Sequence, residues 1–185
     1  MYHKLDIVKL QYISKYHQKL QMVSSIIVIA SALSQSPLPY SEVLLPATAP
    51  HPSIEQPQCD NSLWKHVFLP TRLHILNPCI TTTGIIESIH AENDGDFHIK
   101  LLADNSGLIN QANIKFENGD LVLEAICQNP VSRPEVGGAC DNFNHPPLSI
   151  PPVGSHITVT GSYVLDTRNN NWAEIHPVTS IARIH

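Results

Sequence analysis

Two short groups of carboxylate and imidazole side chains are the residues of this sequence best suited to chemistry. The first group contains Asp94, Asp96 and His98, and the second contains Glu174 and His176. Residues two apart on a β-strand point to the same face, so each group can present its side chains together. Carboxylate oxygens and neutral imidazole nitrogens are ligands for zinc, manganese and other divalent ions. The pattern therefore offers a metal site formed by Asp94, Asp96, His98 and His176.

A structural role is the alternative for the same residues. Asp94-Gly95-Asp96 is a pattern typical of a hairpin turn, since Asp-Gly is the usual chemistry of such turns. His98 and Glu174 can also form hydrogen bonds across neighbouring strands. The turn interpretation is favoured, and both interpretations stay open at the level of sequence.

The elements that must hold these residues are β-strands, which are indicated by alternation and by β-branched residues. Strands are predicted over 79–90, 97–102, 121–127, 155–165 and 172–183. Gly84 interrupts the first of them, as expected where a strand bends in a barrel. A loop or short helix is expected over residues 106–114.

Five short antiparallel strands with this spacing predict an all-β fold, a five-stranded OB-fold-like Greek-key barrel with a short helix or loop insertion. An immunoglobulin-like sandwich would need about seven strands. In such a barrel we expect the last strand to pair with the first. That pairing would bring Glu174 and His176 close to the turn that carries Asp94 and Asp96.

Residues 1–34 are predicted to be a signal peptide or an N-terminal anchor helix. A basic region is followed by an uncharged apolar run over residues 22–33 and by Ala30-Ser31-Ala32, a pattern typical of a cleavable export signal. The run is shorter than the about 20 residues that span a bilayer. The basic region is long for a signal, however, and translation could begin at Met22, so an uncleaved anchor stays open.

Residues 35–58 are predicted to be a linker and residues 59–185 the folded OB-fold-like domain. The linker segment carries six prolines, which remove backbone donors and favour extended chain. The folded part has seven Lys and Arg side chains against thirteen Asp and Glu, a balance of −6. Binding to nucleic-acid phosphates depends on Lys and Arg, so nucleic acid is not expected as a partner of this domain.

All four cysteines, Cys59, Cys79, Cys127 and Cys140, lie in the folded part, as in disulfide-bonded proteins of an oxidising compartment. Three pairings are possible, and sequence alone does not choose among them. We expect Cys59–Cys79 and Cys127–Cys140, because each pair brackets one irregular segment. A zinc site on these thiols is the competing interpretation, but no Cys-x-x-Cys occurs. The chain is therefore expected to be secreted or exposed at the cell surface.

The folded part resembles a family of exported or surface-associated, largely uncharacterised OB-fold-like domains of archaea and bacteria. The motifs that carry the resemblance are Leu63-Trp64-Lys65-His66-Val67 after Cys59, Asp94-Gly95-Asp96-Phe97-His98, Val159-Thr160-Gly161-Ser162-Tyr163-Val164-Leu165-Asp166 and Glu174-Ile175-His176-Pro177-Val178. The resemblance extends over nearly all of the folded part. The family has no established reaction, so the resemblance implies a fold and a compartment.

The turn Asp94-Gly95-Asp96 is also similar to a turn in the staphylococcal-nuclease branch of OB-folds, in which an aspartate binds calcium and arginines stabilise phosphate charge. The sequence has no Asp-Thr-Pro-Glu-like segment and no arginine near this turn. The positive charge that stabilises the transition state of phosphodiester cleavage would therefore be missing. A more general divalent-metal hydrolase, with Glu174 as general base, is the enzyme alternative.

The function predicted from these observations is that of an exported, non-catalytic binding module with no cofactor other than a possible divalent metal. Its unknown ligand is expected at Asp96, His98, Trp172, Glu174 and His176, with Trp172 as an exposed stacking platform at the edge of a turn. Binding of single-stranded nucleic acid or of an oligosaccharide is a further alternative. A membrane is expected as partner only through an uncleaved N-terminal segment.

Overall fold

The computed structural model describes residues 57–133 and 138–184. The predicted signal or anchor and almost all of the predicted linker lie outside the described residues, so the expectations for them stay predictions. Within the described part of the chain, no helix is long and apolar enough to cross a membrane.

Five β-strands form one mixed sheet that closes into a barrel. The strands are β1 (Leu73–Ala91), β2 (Phe97–Ala103), β3 (Leu121–Ala125), β4 (His156–Asp166) and β5 (Trp172–Arg183). Their order around the ring is β1-β2-β3-β5-β4. Neighbouring strands are antiparallel except for the parallel pair β3 and β5. The prediction of a closed, five-stranded and mostly β fold is confirmed.

Short helices connect and flank these strands. The only α-helix of the described residues, α1 (Gln111–Phe116), lies between β2 and β3, and 3-10 turns occur at Asn61–His66, Pro70–Arg72 and Ser106–Leu108. The side chain of Asn110 begins α1 by accepting the N–H groups of Ala112 and Asn113. The predicted loop or short helix between the second and third strands is thus confirmed.

Gly84 allows β1 to pair on both of its edges. It lies opposite Ala103 of β2 and opposite Ile157 of β4. A Cβ atom at this position would stand 2.5 Å from the carbonyl oxygen of Leu102, which is far inside van der Waals contact. Only glycine therefore permits this close approach of β1 to β2.

The expectation that the last strand pairs with the first is wrong. β1 already uses its two edges for β2 and β4, so β5 closes the ring between β4 and β3. His98 lies opposite Glu124 in the β2–β3 pair, and Glu174 lies beside Val122 in the β3–β5 pair. Strand β3 therefore connects the two polar groups that the sequence predicts.

The barrel interior is filled by the inward-facing residues of the five strands. Fully buried examples are Ile86, Ile99, Leu101, Leu121, Leu123, Ile157 and Ile175. A second apolar cluster lies outside the barrel, where a cover segment, defined here as residues 57–72, packs on the sheet. Leu63 and Val67 of this cover segment contact Ile126 and Val164. The outer face of the barrel is thus partly buried as well.

Two disulfides join the cysteines in the expected pairs. Cys59 of the cover segment is bonded to Cys79 of β1, and Cys127, after β3, is bonded to Cys140. The first bond ties the cover segment to the sheet, and the second closes the loop that follows β3. Disulfides of this kind contribute about 2–4 kcal/mol each, mainly by restricting the unfolded chain.

Candidate functional site

A network of acidic and imidazole side chains lies on the outer face of β2, β3 and β5. Because Ile99, Leu123 and Ile175 point into the core, the alternate residues of the same strands point outward. The buried network, as defined here, consists of Asp96, His98, Lys100, Glu117, Glu124, Trp172, Glu174 and His176. Most of its acidic and imidazole groups are nearly inaccessible to solvent, although they lie outside the barrel.

His98 joins two carboxylates within the network. Its Nδ1 lies 2.8 Å from Oε1 of Glu124, and its Nε2 lies 3.5 Å from Oε2 of Glu117. Nζ of Lys100 lies 2.9 Å from the same oxygen of Glu117. Burial alone lowers the pKa of His98, but the hydrogen bonds and charges of Glu117 and Glu124 outweigh it and raise the pKa to about 10. His98 is therefore an imidazolium at neutral pH.

Glu117 reaches His98 because α1 is fixed against β5. The fully buried Asn113 donates from Nδ2 to the carbonyl oxygens of Asp120 and Ala173 and accepts the N–H of Ala173. Glu117 then ends the helix at the edge of the network. Burial raises the pKa of Glu117, but the cations of His98 and Lys100 outweigh this effect, and its net pKa is lowered.

Glu174 lies between an indole and an imidazole on β5. Trp172 donates from Nε1 to Oε2 of Glu174 at 2.7 Å, and Nδ1 of His176 lies 2.9 Å from Oε1. Burial lowers the pKa of His176, but its hydrogen bond to Glu174 and the nearby carboxylates raise it above the ordinary value overall. Nε2 of His176 is buried and has no hydrogen-bond partner among the described residues.

Asp96 connects the network to the turn between β1 and β2. Its Oδ1 accepts the backbone N–H of Cys127 at 2.9 Å, and only 5% of the residue is exposed. Burial raises the pKa of Asp96 to about 7, against the opposing charge of His176. Burial also raises the pKa of Glu124 to about 7. Two carboxyl groups of the network therefore titrate close to neutral pH.

The structure brings together all five residues that the sequence predicts as ligand-binding. Asp96, His98, Glu174 and His176 belong to one network, and the rings of His98 and Trp172 meet edge to face with centroids 6.0 Å apart. Trp172 itself is half-buried. Glu124 and Glu117 complete the network, although the sequence argument did not single them out. Their outward strand and helix-end positions are equally typical of solvated carboxylates.

The four predicted metal ligands are not gathered around one point. Asp94 lies in the turn, where its Oδ1 accepts the N–H of Asp96 at 3.4 Å. Among the described residues, the set of three metal-binding side chains within mutual reach is Asp96, Cys127 and Cys140, whose ligand atoms lie within 4.8 Å of one another. Both sulfurs belong to a disulfide, whereas metals bind thiolates. The predicted metal site stays a prediction.

A polar cleft lies beside the network, at the end of the barrel where two turns meet. Its volume is about 330 Å³, and it lies between the β1–β2 turn (residues 92–96) and the β4–β5 turn (residues 167–171). The residues that line it are Phe68, Leu69, Arg72, Glu92, Asp94, Arg133, Arg168 and Asn169. We call it the arginine cleft.

Arginines thus lie near the Asp94 turn in the folded protein, although none is near it in the sequence. Arg72, Arg133 and Arg168 line the same cleft as Asp94. They come from the cover segment, from the loop after β3 and from the β4–β5 turn, which are far apart in the chain. No local spacing could have revealed this arrangement, because it depends on how the barrel closes.

Each of these segments is held by hydrogen bonds. The N–H groups of Ser132 and Arg133 both donate to the carbonyl oxygen of Asn93, at 2.9 and 3.0 Å. Thr167 donates from its N–H and its hydroxyl to the carbonyl oxygen of Arg72, at 2.9 and 2.7 Å. The arginine cleft is thus formed by segments whose backbones are fixed to one another.

The buried Asp166 organises the β4–β5 side of the arginine cleft. Its carboxylate forms an ion pair with Arg72 and accepts the backbone N–H groups of Arg168 and Asn169. The side chain of Asn169 donates to the same carboxylate at 2.9 Å. One carboxyl group therefore fixes the turn and the guanidinium of Arg72 together.

A second cleft, of about 270 Å³, lies between the cover segment, the loop around Phe143 and the end of β5. His145 lines it, and its Nδ1 lies 3.4 Å from Oδ2 of Asp60. The rings of Phe143 and His145 are stacked at a tilt, with centroids 4.9 Å apart. The sequence does not indicate a role for His145, because it lies in a proline-rich loop where no local pattern points to a partner.

Neither the models of known protein families nor the curated protein sequences match this chain. The family resemblance argued from the motifs stays a proposal.

Proposed function

We propose that the domain is an extracytoplasmic, disulfide-stabilised OB-fold binding module without catalytic activity, and that its ligand binds in the arginine cleft. The closed ring of five strands, in the order β1-β2-β3-β5-β4, supports the OB-fold assignment. The resemblance of the motifs to those of exported OB-fold-like domains supports the same assignment. The two disulfides are compatible with an oxidising compartment.

The position of the arginine cleft is the observation that carries this proposal. OB-folds bind oligosaccharides and oligonucleotides with the face of their second and third strands and with the loops that follow strands one and four. Glu92 and Asp94 come from the first of these turns, and Arg168 and Asn169 come from the second. A polar, open cleft between these two turns is where an OB-fold holds a ligand.

The buried network supports the cleft in this proposal. Asp96 ends the β1–β2 turn, and Trp172 begins β5 directly after the β4–β5 turn. Both side chains are bonded inward, to the N–H of Cys127 and to Glu174 respectively. The network therefore holds the two turns in the positions that define the cleft.

Chemical-shift mapping of the oxidised, isotopically labelled protein tests the proposal. The probes are glucose, glucuronate, glucose 6-phosphate and a short single-stranded oligothymidylate. We expect at least one probe to shift the amide signals of residues 92–96 and 167–171. Shifts confined to other surfaces, or no shift with any probe, would contradict the proposed binding site. An oligonucleotide affinity that falls steeply with salt would support the nucleic-acid alternative instead.

A divalent-metal hydrolase is the second candidate, and the arginines beside Asp94 are the observation that favours it. They offer the positive charge that phosphoryl transfer needs and that the sequence lacked near this turn. Manganese titration of the oxidised protein, followed by calorimetry, tests this candidate. Stoichiometric binding that is lost in Asp94→Asn and retained in Asp141→Asn would support it, and no binding would remove it.

A further inference from the structure

Building on the proposed binding function, we infer that the arginine cleft recognises an anionic sugar, a hydroxyl-bearing ring that carries a carboxylate or phosphate group. The distribution of the basic residues supports this inference. Three of the four arginines of the described residues, Arg72, Arg133 and Arg168, line this one cleft. They do so in a folded part whose acidic residues outnumber its basic residues thirteen to seven. Arginine is the residue best suited to bidentate recognition of carboxylate and phosphate, so this gathering favours an oxyanion site.

Two of the arginines that line the cleft belong to segments that are held in place. Arg72 is half-buried and is held by its ion pair with Asp166. Arg168 is exposed, and its backbone is fixed because its N–H donates to Asp166 at 2.9 Å. Arginine presents several N–H donors in a planar fork that fits carboxylate and phosphate oxygens. These two residues therefore provide the anion-binding side.

The acidic residues that line the cleft favour a ligand that also carries hydroxyl groups. Glu92 is exposed and Asp94 is half-buried, and both line the cleft. Two carboxylates repel a bare anion, but they accept hydrogen bonds from sugar hydroxyls. A ligand that satisfies the arginines and the carboxylates thus carries one oxyanion and several hydroxyls. Phe68, half-buried at the same cleft, offers an apolar surface for the face of a sugar ring.

Size and net charge point to a small ligand rather than a long polyanion. The volume of about 330 Å³ lies near the lower end of the roughly 300–1,000 Å³ typical of small-molecule sites. The net charge of −6 on the folded part repels an extended polyanion outside the cleft. A monosaccharide unit with one acidic group fits both constraints.

Calorimetry with glucose, glucuronate, glucose 6-phosphate and inorganic phosphate tests the inference. We expect at least one sugar anion to bind and glucose to bind at least about ten-fold more weakly, as expected for the loss of one charge-assisted interaction. Glucuronate binding alone assigns a sugar acid, and glucose 6-phosphate binding alone assigns a sugar phosphate. Equal binding of glucose would overturn the inference but leave the binding module intact.

One pair of variants and one further variant locate the interaction. Arg168→Gln should lower the affinity for the sugar anion by about ten-fold or more. The matched control Arg183→Gln, at the exposed end of β5, should change the affinity less than about two-fold. Glu92→Ala should weaken the binding of the sugar anion. It should not weaken the binding of inorganic phosphate, because phosphate has no sugar hydroxyls. Equal losses in Arg168→Gln and Arg183→Gln, or no binding of either sugar anion, would refute the anion assignment.

Discussion

Replacement of Asp96 by asparagine should remove a pH dependence from the stability of the domain. The pKa of Asp96 is raised from 3.8 to about 7 by burial, so between these values the folded state keeps a proton that the unfolded state has lost. Raising the pH through this window therefore lowers the free energy of unfolding. Asparagine stays neutral and keeps an oxygen that can accept the N–H of Cys127, so the variant lacks this loss.

The size of the effect follows from the pKa. Each unit corresponds to about 1.4 kcal/mol, so a rise of about three units makes ionised Asp96 cost about 4 kcal/mol in full. Part of this loss has already occurred at about pH 4.5, because the unfolded carboxyl titrates near 3.8. Between about pH 4.5 and about pH 8, the variant should therefore gain about 3 kcal/mol relative to the parent protein.

Urea unfolding of the disulfide-bonded proteins at these two pH values measures the difference. Asp141→Asn is the matched control, since it makes the same substitution at an exposed position, and its difference from the parent should stay constant. Carbon NMR of the Asp96 carboxyl should also show a titration midpoint near pH 7. A parent-to-variant difference that stays level within roughly 1 kcal/mol, about the error of such extrapolations, would refute the argument that burial keeps Asp96 protonated.

Three further predictions concern the network and the barrel. The pKa of His98 is raised from 6.5 to about 10, so its stabilising effect is complete below its ordinary pKa and is lost as the pH rises through 10. His98→Gln should therefore lower the free energy of unfolding by about 2–4 kcal/mol near neutral pH, and urea titrations should give a smaller difference near pH 11. Gly84→Ala should destabilise the domain by more than about 2 kcal/mol in thermal melts. Gly107→Ala should cost less stability, because its Cβ would meet only a side chain, at 3.1 Å or more. Equal losses of stability would contradict the close approach of β1 to β2 at Gly84. Paired replacement of Cys127 and Cys140 by serine should cost about 2–4 kcal/mol in urea unfolding, and an unchanged midpoint would show that this bond does not stabilise the domain.

Much of the barrel was predictable because local patterns determine it. The alternation from Phe97 to Leu101 fixed which residues face the core, and the Asn-rich turn before Trp172 marked the last hairpin. The pairing of β5 with β3 was not predictable in this way. It depends on β1 being long enough to pair with β2 and β4 at once, and strand periodicity carries no information about which edges meet.

The buried network was predictable only in part, for a related reason. His98 and the pair Glu174 and His176 were found from their spacing along single strands. Glu124 lies opposite His98 on β3, so its role depends on a cross-strand register that a local pattern does not contain. The arginine cleft was missed altogether, because its three arginines come from segments that meet only after the barrel has closed.

In the proposed binding module, burial separates the residues of the network from those of the cleft. Glu174 is 1% exposed and His176 is 0% exposed, so a ligand could touch them only after covering chain had been displaced. Their hydrogen bonds are instead directed to each other and to Trp172, at the end of the β4–β5 turn. Arg168, in that same turn, is exposed and lines the cleft. The network is thus suited to hold a binding surface in place, and the less conspicuous arginines are suited to contact the ligand.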